Sequence, residues 1–83
     1  MVAYRFVLAD SASKAVFTLT KKRQRHALAA MEAIAANPST DGLPSVRDRE
    51  GRLNYFLGDR GFVITFWLDH AVKELRIVEI EET

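Results

Sequence analysis

No cysteine occurs anywhere in the sequence, so neither a disulfide framework nor a thiolate metal site is open to it. Proline is nearly as scarce, with two residues, and glycine is limited to four. Both prolines and two of the glycines fall within residues 38–51, which confines the expected irregular chain to one place. An excess of one charge is also missing. Twelve Lys and Arg against eleven Asp and Glu leave a net +1, so overall charge does not mark a nucleic-acid binder. The longest apolar run after Gly61, Phe62 to Leu68 with Thr65 included, is far short of the ~20 residues that a membrane-crossing helix needs. The opening Met1-Val2-Ala3-Tyr4-Arg5 alternates polar and apolar residues and lacks the basic-then-apolar order of a signal peptide. The expectation is a soluble, cytoplasmic protein that makes no use of a membrane.

What remains is ordinary globular material. A hydrophobic fraction of 48% is enough for a core and argues against disorder. With 83 residues there is room for one core, hence a single domain over 1–83. The charges are unevenly placed: residues 10–37 carry five Lys or Arg against two acids, whereas residues 61–83 carry two against five.

Periodicity gives the elements. Tyr4, Phe6 and Leu8 alternate with Arg5 and Val7, the mark of a half-buried strand. Asp10 or Ser11 then offers a helix cap, and Ala12, Ala15, Val16 and Leu19 recur at helical spacing. A second stripe runs through Leu28, Met31, Ile34 and Ala35 and ends at Asn37-Pro38. The polar stretch from Leu19 to Arg25 separates the stripes, so a helical hairpin is expected there. Three strands follow. Leu53, Tyr55 and Leu57 alternate with Asn54 and Phe56, and Phe62, Ile64, Phe66 and Leu68 alternate with Val63, Thr65 and Trp67. In the last strand Leu75 and Ile77, then Val78 and Ile80, fall on opposite faces, which leaves its buried side open. Gly58-Asp59-Arg60-Gly61 and Asp69-His70-Ala71 read as hairpin turns. The fold expected is α+β in the order β-α-α-β-β-β, a helical hairpin on one face of a mainly antiparallel four-stranded sheet.

That order and its landmarks resemble the RelE/ParE superfamily of toxins from type II toxin–antitoxin systems. The resemblance rests on the opening strand Tyr4–Leu8, a lysine-bearing first helix with a basic stretch after it, and the second helix closing on Ile34–Pro38. It also rests on Asp48-Arg49-Glu50-Gly51-Arg52-Leu53-Asn54-Tyr55 and on Gly61-Phe62-Val63-Ile64-Thr65-Phe66-Trp67-Leu68-Asp69. It implies a toxin-like protein that pairs with a cognate antitoxin and acts on the ribosome-bound message or on DNA gyrase, as a homodimer or a hetero-oligomer with the antitoxin. The nuclease residues of the family are largely missing. Val63 follows the Gly-aromatic pair where an arginine is usual, and the closing Glu79-Ile80-Glu81-Glu82-Thr83 is acidic and without Arg, His or Tyr.

Three groups of residues carry functional expectations. If the helices cover the Leu53/Tyr55/Leu57 and Phe62/Ile64/Phe66/Leu68 side, the opposite face shows Phe56, Val63, Thr65 and Trp67, an apolar surface suited to the antitoxin. A ribosome-dependent endoribonuclease would instead need cations for phosphate, and Arg47, Arg49, Arg52 and Arg76 are the candidates. Lys21, Lys22, Arg23 and Arg25 form the densest basic cluster, available to nucleic acid or an acidic partner. His26 and His70 are the acid–base candidates, and solvated histidines are the plainer reading of both. No Asp/Glu/His cluster has metal-ligand spacing and no glycine-rich phosphate loop precedes a helix, so no metal and no cofactor is expected.

Overall fold

The computed structural model describes residues 3–83; Met1 and Val2, the start of the opening stretch read above, lie outside them. Strand β1 (Arg5–Leu8) leads into helices α1 (Asp10–Phe17) and α2 (Lys21–Ala36), and strands β2 (Ser45–Arg47), β3 (Leu53–Asp59), β4 (Phe62–Asp69) and β5 (Glu74–Glu82) complete the chain. They form one sheet in the order β1-β5-β4-β3-β2. Strand β1 runs parallel to β5 and every other pairing is antiparallel. The α+β architecture is the one expected, with one more strand: three residues between Pro44 and Asp48 pair with β3 at the sheet edge. A run that short shows no period of its own, and a flanking proline masks it.

The helices start and stop for local reasons. Ala9 precedes α1 and provides no cap; Asp10 lies instead in the first turn, where its charge suits the helix dipole. Ser11 donates its hydroxyl to the Val78 carbonyl at 2.9 Å and ties α1 to β5. Thr20 caps α2 by accepting from the Arg23 N–H at 3.2 Å. The break of the hairpin is therefore Thr18–Thr20, and the basic run Lys21–Arg25 belongs to the helix itself.

One layer of core lies between the helices and the sheet. Ala12, Ala27 and Ala30 are fully buried and share one cluster with Phe62, Ile64 and Phe66 of β4 and with Leu75, Ile77 and Ile80 of β5. The α2 stripe is Ala27, Ala30, Met31, Ile34 and Ala35 rather than one that includes Leu28, which is 45% exposed. Tyr55, Leu57 and Leu68 pack at the margin, whereas Leu53 is exposed.

Strand β5 resolves its own ambiguity with a bulge. Phe66 faces Ile77 but Thr65 faces Glu79, so Val78 is an extra residue without a partner on β4. The shift returns Ile80 to the core beside Leu75 and Ile77, opposite Ile64. At the β3–β4 turn Arg60 and Gly61 both have positive φ, 53° and 82°, the two-residue geometry that matches strand twist.

Two outcomes follow. Deleting Val78 removes the bulge yet leaves Glu79 opposite Thr65 and Ile80 opposite Ile64, so the variant should keep a cooperative melt, lowered by loss of the Ser11 bond, while Val78→Ala should melt within a few degrees of the parent. Gly61→Ala should cost roughly 1–2 kcal/mol for the positive φ, or ~4–8 °C per kcal/mol in melting temperature. Its added Cβ would also lie 3.0 Å from Arg23 Nη2, whereas at Gly58, with ordinary φ and 3.8 Å of room, the same change should cost less. Equal melting temperatures for the two glycine variants would overturn this account of the turn.

Candidate partner-binding face and adjoining cleft

Alternation along β4 sends Phe62, Ile64 and Phe66 to the helices and Val63, Thr65 and Trp67 to the other side of the sheet. Thr65 lies between Phe56 of β3 and Glu79 of β5, Val63 between Gly58 and Glu81, and Trp67 beside Arg76. The four expected face residues are therefore assembled together, with Phe56, Val63, Thr65 and Trp67 each half-buried. The surface is less open than an exposed apolar hollow, because cations cover part of it. The Arg52 guanidinium carbon lies 4.4 Å from the centre of the Trp67 ring and that of Arg76 lies 5.8 Å away.

Arg52 is held there by the turn before it. Asp48 accepts from the Glu50 N–H at 3.0 Å and the Arg52 N–H at 2.9 Å, which shapes Asp48–Arg52 into a tight loop with Gly51 at φ 81°. The same carboxylate accepts from Asn54 Nδ2 at 2.9 Å and from Arg52 Nε at 3.2 Å. Asn54, 6% exposed, points to the outer face of β3 and is satisfied by that bond and one to the Arg52 carbonyl. Hydrogen bonds from Asn54 first, then from the backbone and guanidinium of Arg52, hold the Asp48 carboxyl at about 2, against an ordinary 3.8.

The four candidate arginines divide. Arg52 and Arg76 meet across Trp67, each already engaged: Arg52 with Asp48 and with Glu50 at 3.3 Å, Arg76 with Glu74 at 3.2 Å. Arg47 lies at the end of β2 on the Leu53 side and donates to the Gly51 carbonyl. Arg49 is exposed in the turn and joins none of the ion pairs among the described residues. Glu74 in turn also holds Arg5, so the Trp67 end of the face is a lattice of compensated charges.

At the other end the charges are bare. Glu79 and Glu81 are exposed, two residues apart on the same face, and enter no ion pair among the described residues. A hydrogen bond with Glu81 and its charge push the Glu79 carboxyl above its ordinary value.

The basic cluster splits as well. Lys21, Lys22 and Arg25 are exposed, the two lysines in the first turn of α2, where no acid offsets the helix dipole. Arg23 is an internal clamp. It bonds Glu82 at 2.9 Å, His26 Nδ1 at 2.8 Å and the Arg60 carbonyl at 3.2 Å, and its guanidinium lies 4.3 Å from the Phe62 ring centre.

Periodicity did not single out the cleft of about 470 Å³ where β3 begins and β4 ends. Arg47, Arg52, Tyr55, Trp67, Asp69 and His70 line it. Tyr4 Oη lies 2.6 Å from His70 Nδ1 with the rings edge-on at 84°, so the turn histidine has a fixed orientation. Residues 66 positions apart give no local signal of such a pair; the one hint was a histidine at the end of a strong strand. No group of three or more Asp, Glu or His able to hold a metal is found among the described residues, and none of their helices is long and apolar enough to cross a membrane.

No family model matches the sequence, and no curated protein matches it. Solved structures do resemble the fold. The archaeal RelE–RelB complex from Pyrococcus horikoshii OT3 matches with a TM-score of 0.71 and 14% identity, over 98% of this chain and 96% of that one. The toxin–antitoxin complex RelBE2 from Mycobacterium tuberculosis matches at 0.78 and 12% identity, over 100% and 94%. The intact E. coli RelBE toxin–antitoxin complex matches at 0.74 and 12% identity, over 98% of each chain. The chain therefore has the RelE-like fold that its landmarks suggested.

The Asp48 turn can be tested by pH. Because its folded pKa lies below the unfolded value, Asp48 contributes stability above about pH 4 that is lost as pH falls toward 2. Asp48→Asn should melt lower than the parent at pH 7 and shift the Trp67 fluorescence, and the gap in melting temperature should close as the pH falls through about 2. A gap that stays constant with pH would show that the carboxylate charge does not hold the turn.

Proposed function

We propose that this chain is the toxin-like member of a toxin–antitoxin pair and that the sheet face at Phe56, Val63, Thr65 and Trp67 holds a cognate antitoxin. One observation carries the reading: an apolar strip containing the single tryptophan lies on the side of the sheet away from the helices, with no described element over it. A monomer normally keeps such a face polar. Two further points support it. The proteins of similar fold were solved as complexes with their antitoxins, and this face bears Val63, Glu79 and Glu81 where cleavage of RNA would call for cations.

A second reading, ribosome-dependent cleavage of the message, draws on the cleft, which gathers Arg47, Arg52, Tyr55 and His70. Those groups could neutralise a phosphate and move a proton, although Arg47 and Arg52 have internal partners already. No observation favours DNA gyrase as the target.

Co-expression with the product of the adjoining reading frame, followed by affinity measurement, separates the two. Trp67→Ala and Phe56→Ala should each weaken the complex by about tenfold or more, and Arg52→Ala by less, since aromatic anchors dominate such contacts. The complex should also melt above the free chain. Messages should stay intact when the chain is expressed alone. Cleavage relieved by Arg52→Ala or His70→Ala would replace this reading with the nuclease, and equal losses in all three binding variants would remove the sheet face from the contact.

A further inference from the structure

We propose that the segment docking on this face is an amphipathic helix that sets basic side chains against Glu79 and Glu81 and an apolar stripe against Phe56, Val63 and Trp67. The proposal rests on the docking reading above and adds the chemistry of the partner.

Charge is the first argument. The neighbouring carboxylates of β5 have their arginines: Glu74 holds Arg5 and Arg76, and Glu82 holds Arg23 at 2.9 Å. Glu79 and Glu81 have none among the described residues, and they stand beside Thr65 and Val63, toward the end of the apolar strip away from Trp67. The cations of the same face, Arg52 and Arg76, are occupied by Asp48, Glu50 and Glu74 over Trp67. The open end of the surface is thus locally negative on a chain whose net charge is +1. An occupant that covers it must bring positive charge or leave two carboxylates desolvated without partners. A phosphate backbone would add repulsion.

Geometry is the second. Strand β4 has neighbours on both sides, so its backbone hydrogen bonds are taken; β1 accompanies β5 only as far as Ile77, and an occupant lying across Phe56, Val63 and Trp67 covers the face of the sheet rather than the strand edge beyond that point. The occupant meets the face through side chains, as helices do. The length of β4, at ~3.3 Å per residue, is roughly 26 Å, which a helix of about 17 residues spans at 1.5 Å per residue.

The test uses three 18-residue amphipathic peptides without tryptophan that share one leucine stripe and differ in the residues flanking it: lysine, serine or glutamate. Trp67 is the only tryptophan, so its fluorescence reports binding at this face directly. The lysine-flanked peptide should bind at least tenfold more tightly than the glutamate-flanked one, and E79Q/E81Q, checked for an unchanged melt, should reduce the preference to within about twofold. A smaller preference, or one that survives the double variant, overturns the basic-helix proposal and leaves the docking reading standing. If no peptide changes the fluorescence, the docking reading fails and the proposal with it. A 12-nucleotide RNA that binds Trp67 more tightly than the lysine-flanked peptide assigns the face to nucleic acid and overturns the proposal.

Discussion

One unpaired residue between β4 and β5 sets the chemistry of both sides of the sheet. With a continuous register, Glu79 would stand opposite Ile64 and Glu81 opposite Phe62, two carboxylates in the core beneath the helices. Burying them without partners would cost several kcal/mol each, comparable to the whole stability of a domain of this size. The bulge at Val78 turns that pattern over. Ile80 joins Leu75 and Ile77 beneath the helices, and the two glutamates move to the outer face. Ser11 of α1 bonds the Val78 carbonyl, so the bulge also serves as the place where the first helix is fastened to the sheet.

The outer face then has two unlike ends. Near Trp67, the Asp48 carboxylate gathers the turn, positions Arg52 over the indole and satisfies buried Asn54, while Arg76 approaches the same ring from β5. These groups share partners, Glu74 with Arg5 and Arg76 and Asp48 with Asn54 and Arg52, so the charges at this end are already compensated. Near Val63 nothing comparable exists. The charges there repel one another, and the apolar surface beside them is uncovered among the described residues. A partner gains more at the open end than at the compensated one.

Much of this was legible in the chain. Helix and strand periods place Ala12, Met31, Ile34, Phe62, Ile64 and Phe66 in the core, and Trp67 on the far face, because a repeat of 3.6 or 2 persists long enough to be seen. What escaped is what such repeats do not encode. Strand β2 is three residues long behind a proline, and on α2 it is the alanine Ala27, which hydropathy weighs little, that is buried while the more apolar Leu28 is exposed. The β5 phase is interrupted by its bulge, so strict alternation gives contradictory faces. The site was legible as a list of residues and not as a set of contacts. Arg52 with Trp67, Arg23 with Glu82, and Tyr4 with His70 are pairings between distant segments, fixed only when the sheet has formed.

The RelE-like fold does not by itself give the chain a nuclease's work, since function resides in the side chains a fold displays. Here those side chains argue for a reversed polarity. The folded state raises the Glu79 pKa, so between the ordinary value of 4.5 and the raised one it binds more protons than the unfolded chain. By linkage that contribution to stability is lost as the pH rises through this window, and near neutrality the free protein carries the repulsion of two adjacent carboxylates. A basic side chain laid between them removes the repulsion, restores the favourable balance and draws the apolar strip out of water in the same step. An anionic strand of RNA would do the opposite on each count. The two glutamates that the bulge keeps out of the core are therefore the residues that most sharply distinguish a protein partner from a nucleic-acid substrate on this face.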